Sequence, residues 1–371
     1  MTLEGSLRSW TFWPEREDLW TEFTRLLGAA QDGGSTVAEC WATAARIDFS
    51  SDHSWCLEWT RTADVNANRG DAALREGNLL TARSNWLRAL NYYQAAGFPF
   101  DRSEAAYHAS LAGMRRCAGQ YLRHGSPAGD IVSIPWAGDY ELEAYFVPAV
   151  TAASAAAPVV ICVGEPGQRK EEYLYKYARY ARERGMSLLA VDLLGAGSGD
   201  AFDAVVGRSD LESAIGHVVD HLVDRDDVDA RRIAIIADAC GSSFVARGIA
   251  FDDRFAAAVC DGGIWDLHER SFLRNRAAMS GAGMDFAPVA TSVARRIKCP
   301  VLIPVGEQGW LRADQVTTLY QRLQSDGRDV TLKIFTSEET ASAQGHADNP
   351  TLANEYIFDW LASRLAAAPA G

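Results

Sequence analysis

A strand–turn–helix pattern near the middle of the chain is typical of the turn that carries a catalytic nucleophile. Residues 232–248 read RIAIIADACGSSFVARG. The apolar run at 233–237 predicts a buried strand, and the residues after the turn predict a helix. Such a turn holds a serine at the centre of a G-x-S-x-G pattern, with small residues two positions away on either side. Ala237 and Gly241 meet that need, but the central position is Ala239, which has no nucleophile.

The two residues beside the alanine could still take part in chemistry. Asp238 precedes it and Cys240 follows it. An aspartate in an apolar pocket is pushed toward its protonated form and can then move a proton. The competing interpretation is that Asp238 only stabilises the turn. Cys240 either contacts a substrate or is a small packed apolar residue, and the whole stretch can also be an ordinary buried strand–helix turn.

Composition limits the classes of function. The chain has 371 residues, 48% hydrophobic and 23% charged, as expected of a globular protein with a substantial core. A net charge of −13 argues against nucleic acid and anionic membranes as partners. Seven cysteines without C-x-x-C spacing predict neither a disulfide framework nor a zinc site, and they favour a reducing cytoplasm. The sequence shows no signal segment and no apolar run of membrane-spanning length.

The spacing of apolar residues changes once along the chain, near residue 125. Residues 1–128 show helical spacing and predict a helical domain. Residues 129–371 begin with a hairpin signal at Gly138-Asp139 and continue as strands alternating with helices, one of them at 171–184. This alternation predicts an α/β core, a mostly parallel sheet covered by helices on both faces. The segment 264–297 is too long for a plain connection and predicts a small helical insertion over the ligand-binding edge.

Four stretches together carry a resemblance to a known family. They read TARSNWLRALNYYQAA at 81–96, GEPGQRKEE at 164–172, the turn at 232–248, and NPTLANEYIFDWL at 349–361. With them the chain resembles the α/β-hydrolases. More narrowly, it resembles the group of the fermentation/respiration switch protein, 2,6-dihydroxypseudooxynicotine hydrolase and a fungal enzyme that shortens a polyketide for pigment. The resemblance implies a helical N-terminal domain over the active site, and cleavage of C–C or ester-like bonds by Ser, Asp and His.

The chain departs from that family at each position of the triad. Ala239 stands at the serine position, and Gly309, in the stretch GEQG, stands at the aspartate position. Counting back from Asn349 places Gln344 at the histidine position. His346 follows two residues later and is either a base that still reaches the site or a solvent-facing loop residue. Chemistry through an acyl-enzyme is not expected, because each triad member activates the next.

The carbonyl-binding part of such a site does not depend on the triad. Backbone N–H groups around Gly164, Glu165 and Cys240 resemble an oxyanion hole, which polarises a carbonyl group whether or not a serine attacks it. Glu165 is either a proton-transfer group or a solvated loop residue. The missing acid could be replaced by Asp261 or Asp266, which follow a predicted strand at 256–260. The predicted catalytic residues are His346, Glu165 and Asp238; the predicted substrate-binding residues are Ala239, Cys240, Gly164, Gln344, Gly309 and Asp261.

Three hypotheses about function follow. The first is a cofactor-independent enzyme of secondary metabolism that has lost hydrolysis and catalyses cyclisation, rearrangement, dehydration or another proton transfer. Its substrate would be a polyketide-like or aromatic carbonyl intermediate. The second is a C–C or ester-bond hydrolase whose serine is replaced by Ala239, with His346 as base. The third is a non-catalytic binding protein on a hydrolase scaffold. We expect no metal, cofactor, nucleic acid or membrane as partner. The sequence leaves the alternatives of a monomer and a homodimer undecided.

Overall fold

The computed structural model describes residues 13–137, 140–150, 156–164, 168–193, 213–238, 241–263, 296–309 and 312–366. Its internal contacts divide the chain into two compact units, Met1–Gly125 and Ser126–Gly371. Nearly all of the predicted insertion at 264–297 lies outside the described residues. The predicted site residues Glu165, Ala239 and Cys240 also lie outside them.

The first unit is helical. Its described helices are α1 (Glu17–Gly28), α2 (Val37–Ala44), α3 (Asp52–Arg75), α4 (Leu79–Gly97) and α5 (Ala105–Arg123). Thr36 and Ser51 cap α2 and α3, because their side-chain oxygens accept backbone N–H groups of the first turn. Trp55, Trp59 and Trp86 are buried within this unit. These tryptophans therefore supply apolar packing area between its helices.

The second unit is built on one sheet. Its strands are β1 (Asp130–Ala137), β2 (Tyr140–Val147), β3 (Ala157–Val163), β4 (Ser187–Val191), β5 (Val228–Ala237), β6 (Phe255–Cys260), β7 (Val301–Gly306) and β8 (Val330–Phe335). They lie in the order β1-β2-β4-β3-β5-β6-β7-β8. β2 pairs antiparallel with β1 and with β4, and the other described pairings are parallel. The predicted fold class, a mostly parallel α/β-hydrolase sheet with helices, is confirmed.

Helices pack against this sheet and bury its strands. They are α6 (Tyr173–Lys176), α7 (Ala178–Glu183), α8 (Ser213–Val223), α9 (Gly241–Phe251), α10 (Ala313–Ser325) and α11 (Pro350–Ala366). Helices α8 and α9 contact each other and the sheet, as do α7 and α11. Strands β4 and β7 are buried along their whole length, as expected of parallel strands covered on both faces. None of the helices that the structure describes has the length and apolar character of a membrane span.

The parallel strands place several predicted site residues at one edge of the sheet. β3, β5, β6, β7 and β8 run in the same direction, so the loops that follow them leave from the same edge. β3 and β5 are neighbours in the sheet. After β3 the chain continues into β4 on one side of this pair, and after β5 it continues into β6 on the other side. Ligands of open α/β sheets bind in the crevice at such a point. Gly164 and Asp238 follow these two strands directly.

One predicted helix is broken in the structure. The sequence pattern predicts a single helix at 171–184, whereas the chain forms a 3₁₀ turn at Lys170–Glu172, then α6, then α7, with a break at Tyr177. Consecutive residues of a regular helix point about 100° apart. Lys176 and Tyr177 nevertheless both reach the carboxylate of Asp238. The break therefore allows two consecutive side chains to bind one acid.

Candidate functional site

The turn after β3 lies directly against the start of α9. The carbonyl oxygen of Gly164 is 2.9 Å from the point that a Cβ on Gly241 would occupy, so a side chain there would collide with backbone. The Gly241 N–H donates to the backbone oxygen of Asp238 at 2.8 Å and closes the turn. β5 ends at Ala237 and α9 begins at Gly241, which is the predicted strand–turn–helix order. The small residue predicted at 241 is thus required by close backbone approach.

Asp238 is buried, and its carboxylate is bound by neighbouring side chains. Its Oδ2 lies 2.6 Å from the Lys176 ammonium, and its Oδ1 accepts a hydrogen bond of 2.7 Å from the Tyr177 hydroxyl. The Tyr173 hydroxyl makes a weaker third contact at 3.5 Å. Burial, and then the nearby carboxylate, raise the pKa of Tyr177 well above its usual 10.0, so its hydroxyl stays a donor. These contacts connect the turn after β5 to α6 and leave the carboxylate paired with a cation, and the role of Asp238 in proton transfer stays a prediction.

His346 and Asp261 form a buried pair, although they lie far apart in the sequence. The Nε2 atom of His346 is 3.4 Å from Oδ1 of Asp261, and the two side chains are 4% and 7% exposed. Nδ1 lies 2.8 Å from the backbone oxygen of Ala341. A carbonyl oxygen can only accept, so Nδ1 must carry a hydrogen, and Nε2 is the atom that gains or loses a proton. Among the described residues Nε2 has no hydrogen-bond partner of good geometry.

The surroundings of His346 favour its protonated form. Burial of the ring opposes protonation, but the Asp261 carboxylate and the Ala341 carbonyl oxygen outweigh that effect and raise the pKa of His346 above its usual 6.5. The Lys176 ammonium acts in the opposite direction, more weakly. A carboxylate beside Nε2 stabilises the imidazolium that forms when the ring takes a proton. The pair can therefore accept and return protons.

The loop that carries His346 has an unusual backbone. Thr340, Ala341 and His346 have φ angles of 72°, 55° and 57°, in the left-handed region that residues other than glycine seldom adopt. The Asp348 carboxylate accepts two successive backbone N–H groups of the loop, each at 3.0 Å. Such conformations persist where surrounding contacts fix them, and they are common at functional sites. The loop fixes the ring through the Ala341 carbonyl.

The predicted acid and histidine positions of the triad are next to each other. The side-chain oxygen of Gln344 lies 2.7 Å from the point that a Cβ on Gly309 would occupy. The backbone N–H of Gln308 donates to Ser342 at 2.8 Å, so the loop after β7 and the loop after β8 are joined. The structure thus brings together the two positions that the resemblance assigns to the acid and the base, and glycine and glutamine side chains carry no ionisable group.

The structure brings Lys176 and its two tyrosines to this edge, and the sequence did not single them out. Lys176 stands in the run YLYKYARY, where it is the first cation among aromatic and apolar residues. A lysine within such a run signals a buried ion pair, because a cation is buried only when it is paired. Its partner could not be identified from the sequence, because Asp238 lies on a distant strand.

A second buried charge cluster lies beside the middle of β2 and the end of β4. The Lys170 ammonium is 2.7 Å from Asp192 and 2.9 Å from Glu143. The Tyr145 hydroxyl donates to Glu171 at 2.8 Å. This cluster connects the strands to the 3₁₀ turn before α6, and its cation is surrounded by acids. Within the described ranges no group of three His, Cys, Asp or Glu side chains is placed as metal ligands would be.

Comparison with known proteins gives a family match and several relatives. Residues 47–279 match the family described as Esterase FrsA-like. Hydrolyase poxO of Penicillium oxalicum (strain 114-2 / CGMCC 5302) is 30% identical over 266 residues, which are 68% of this chain and 62% of that protein. The 20-hydroxy-prefusarin hydrolase FUS2 of Gibberella moniliformis (strain M3125 / FGSC 7600) is 30% identical over 265 residues, 67% and 61% of the two chains. This chain spans less than two thirds of the length of these relatives.

Solved structures resemble the chain over most of its length. The crystal structure of 2,6-dihydroxy-pseudo-oxynicotine hydrolase superposes with a TM-score of 0.72 over 92% of this chain and 96% of that chain, at 19% identity. Wild-type AbyA5 superposes with a TM-score of 0.61 over 94% and 99% of the two chains, at 15% identity. At these identities the likeness concerns the fold alone.

Proposed function

The chain belongs to the FrsA-like esterase family, which has the α/β-hydrolase fold, and on this premise we propose a cofactor-independent proton-transfer enzyme. Its substrate class is a carbonyl compound, polyketide-like or aromatic, of secondary metabolism. The observation that carries the proposal is the buried pair of His346 and Asp261 at the carboxyl edge of the sheet. The pair offers one proton-transfer atom, Nε2, whose protonated state a carboxylate stabilises.

In this mechanism neutral His346 acts first as a base. Its Nε2 takes a proton from a carbon next to the substrate carbonyl, and the C–H electron pair moves so that negative charge collects on the oxygen. Asp261 stabilises the resulting imidazolium, which then returns the proton to a carbon or oxygen of the substrate. Such general acid–base catalysis contributes on the order of 100-fold to 10,000-fold. Isomerisation, dehydration or cyclisation follows from where the proton returns.

Several features support non-covalent chemistry. The serine position is Ala239, the acid and histidine positions are Gly309 and Gln344, and these two residues cannot activate a nucleophile. Ser242, the next serine along the chain, is buried with its hydroxyl bound to backbone oxygens. Asp238 is neutralised by Lys176, so we leave it out of the proton transfer.

Hydrolysis by an activated water is the second candidate. The curated relatives are named hydrolases or hydrolyases, which supports this candidate. The same atom, Nε2 of His346, would then take a proton from water instead of from carbon. No acyl-enzyme would form in this reaction either, because the Ala239 side chain has no oxygen that could attack the substrate.

Proton exchange at carbon tests the proposal without knowledge of the natural substrate. The aromatic ketones 1-tetralone and 2-tetralone are incubated in D₂O with the protein, and deuterium gain next to the carbonyl is followed by mass spectrometry. We expect the wild type to accelerate the exchange and His346→Gln to remove on the order of 100-fold of that acceleration. His217→Gln is the matched control, because His217 is exposed on α8. Equal exchange rates of His346→Gln and wild type would contradict the proposal.

Replacement of the acid gives a second readout from the same assay. The rate should rise with pH as His346 loses its proton, with a midpoint above 6.5. In Asp261→Asn the carboxylate that raises the pKa of His346 is gone, so this rise should move to lower pH. An unchanged dependence of the exchange rate on pH would show that Asp261 takes no part in the reaction. Turnover of a 4-nitrophenyl ester without carbon exchange would favour the hydrolytic candidate.

A further inference from the structure

The ammonium of Lys176 has unused hydrogen-bonding capacity. An ammonium carries three N–H donors. Among the residues that the structure describes, its one hydrogen-bond acceptor is Oδ2 of Asp238, at 2.6 Å. The rings of Tyr177 and Tyr173 lie beside it, with centroids 5.1 Å and 6.0 Å from Nζ. The Lys176 side chain is 15% exposed, against 5% for its partner acid. Among the described residues, two of its three N–H donors therefore have no acceptor.

This cation is held at the edge of the sheet where the proposed site lies. The side-chain amide of Asn354 on α11 donates to the backbone oxygen of Lys176 at 3.1 Å and fixes the end of α6. Its acid partner is Asp238, which directly precedes the empty nucleophile position. The Tyr173 hydroxyl lies 2.8 Å from the point that a Cβ on Gly164 would occupy, so this cluster borders the turn after β3.

Lys176 remains charged and acts on the proton-transfer pair. Burial opposes its charge, but the carboxylates of Asp238 and Glu172, with a smaller effect from Asp261, raise the pKa of Lys176 above its usual 10.5. The Lys176 ammonium in turn partly opposes the rise in the pKa of His346. The acid partners of the two groups lie next to each other, because Asp238 and Asp261 follow the neighbouring strands β5 and β6, and the Asp261 N–H donates to the Ala237 carbonyl oxygen at 3.0 Å.

We propose that Lys176 is a further catalytic residue, whose ammonium binds the substrate carbonyl oxygen and stabilises the negative charge that develops there. This inference rests on the proposed proton transfer. When the C–H bond breaks, its proton goes to Nε2 of His346, its electron pair forms a C=C bond, and the carbonyl π pair moves onto oxygen. The oxygen becomes an enolate bound to the ammonium. Return of the proton from the imidazolium restores every charge, so no further reactant is required.

A phenolate probe tests this assignment independently of turnover. A phenolate, like an enolate, carries negative charge on an oxygen attached to an sp² carbon, and 4-nitrophenol absorbs differently when ionised. We expect the wild type and Lys176→Arg to bind the ionised form in preference to the neutral form. Lys176→Met alone leaves Asp238 buried without its cation, so the main test is the double variant Lys176→Met/Asp238→Asn. We expect it to fold and to bind the phenolate at least about tenfold more weakly.

The tetralone exchange assay then separates positioning from catalysis. A loss of one donor to a developing oxyanion typically costs on the order of 100-fold in rate. The folded double variant should lose that factor mainly in kcat, and Lys176→Arg should retain most of the rate. Unchanged phenolate binding and exchange in the double variant would show that Lys176 is only a structural partner of Asp238. Absence of phenolate binding to the wild type would overturn the assignment as well.

His346→Gln distinguishes a failure of this inference from a failure of the proposed function. It should lose carbon exchange but keep phenolate binding, since the ammonium is unchanged. Normal exchange in His346→Gln would refute the proposed function, while the phenolate result would still report on Lys176. Loss of exchange in His346→Gln together with full activity of the double variant would refute the role of Lys176 alone.

Discussion

The Ser242 hydroxyl donates a hydrogen bond of 2.9 Å to the backbone oxygen of Asp261. It also reaches the backbone oxygen of Ala237 at 3.2 Å, and the side chain is fully buried. The first turn of α9 is thereby joined to the ends of β5 and β6. Ser242, the first serine after Ala239, therefore serves as a structural donor, and it also helps to place the acid that pairs with His346.

Serine-directed reagents should therefore leave the protein unlabelled. A fluorophosphonate needs an exposed and activated serine oxygen. The Ser242 hydroxyl is inaccessible to solvent, and the alanine at position 239 has no side-chain hydroxyl. Intact-mass measurement after incubation should show no adduct, while a serine hydrolase treated in parallel is labelled fully. Stoichiometric labelling mapped to Ser242 or Ser243 would show that the nucleophile position has been assigned to the wrong residue.

Restoration of the triad should require three changes together. Gln344 and Gly309 already face each other, so Gln344→His and Gly309→Asp place a base beside an acid. We expect Ala239→Ser alone to remain inactive toward 4-nitrophenyl acetate, because no base is positioned to activate the new hydroxyl. The triple variant should release a burst of 4-nitrophenol as it is acylated. A burst from Ala239→Ser alone would show that His346 serves a serine directly, as the hydrolase hypothesis requires.

The tight turn before α9 should tolerate only glycine at 241. A methyl group there would meet the Gly164 carbonyl oxygen at 2.9 Å, and backbone cannot move away cheaply. We expect Gly241→Ala to lower the free energy of unfolding by about 1–3 kcal/mol, as overpacking does. Gly216 on α8 is the matched control, because a Cβ there meets nothing closer than 4.0 Å.

The two glycine variants are compared by urea unfolding. Gly216→Ala should be neutral or stabilising by up to about 1 kcal/mol, since alanine favours a helix more than glycine does. A Gly241→Ala variant as stable as the wild type would show that the turn after β3 can shift. The difference in the free energy of unfolding between the two variants separates the effect of the contact with the Gly164 backbone from that of helix propensity.

The sequence predicted the sheet and the edge at which its parallel strands end, because both follow from local patterns. Strands such as 233–237 are continuous apolar runs, and their alternation with helices leaves few ways to order them. The need for a small residue at Gly241 was also recognisable from the sequence, because a strained turn has no room for a larger side chain. The single helix predicted at 171–184 was wrong, because a tertiary contact of Lys176 and Tyr177 with one distant acid overrides helical periodicity.

The pairing of side chains within the site could not be read from the sequence. Asp261 and His346 lie far apart in the sequence, and their contact depends on how the loops after β6 and β8, on either side of β7, fold. The sequence offered His346 as a base or as a solvent-facing residue; its burial contradicts the second alternative, and its role as a base stays a proposal. The roles of Glu165, Ala239 and Cys240 stay predictions, because these residues lie outside the described ranges.

The last prediction concerns stability and pH, and it follows from the raised pKa of His346. A group whose pKa is higher in the folded state than in the unfolded state stabilises the fold fully below the unfolded pKa. That contribution is lost as the pH rises through the folded pKa. For His346 the unfolded value is close to 6.5 and the folded value lies above it, so the loss begins near pH 6.5 and continues upward. The wild type should therefore lose stability over this window.

Urea unfolding at several pH values from about 6 to 9 measures the effect. The free energy of unfolding of the wild type should fall more steeply with pH than that of His346→Gln, which has no proton to lose. Asp261→Asn should resemble His346→Gln, because the shift depends on the Asp261 carboxylate. His217→Gln, at an exposed position on α8, should follow the wild type. Parallel curves for the wild type and His346→Gln would mean that the Asp261 carboxylate does not stabilise the imidazolium, and the proposed proton transfer would lose its physical basis.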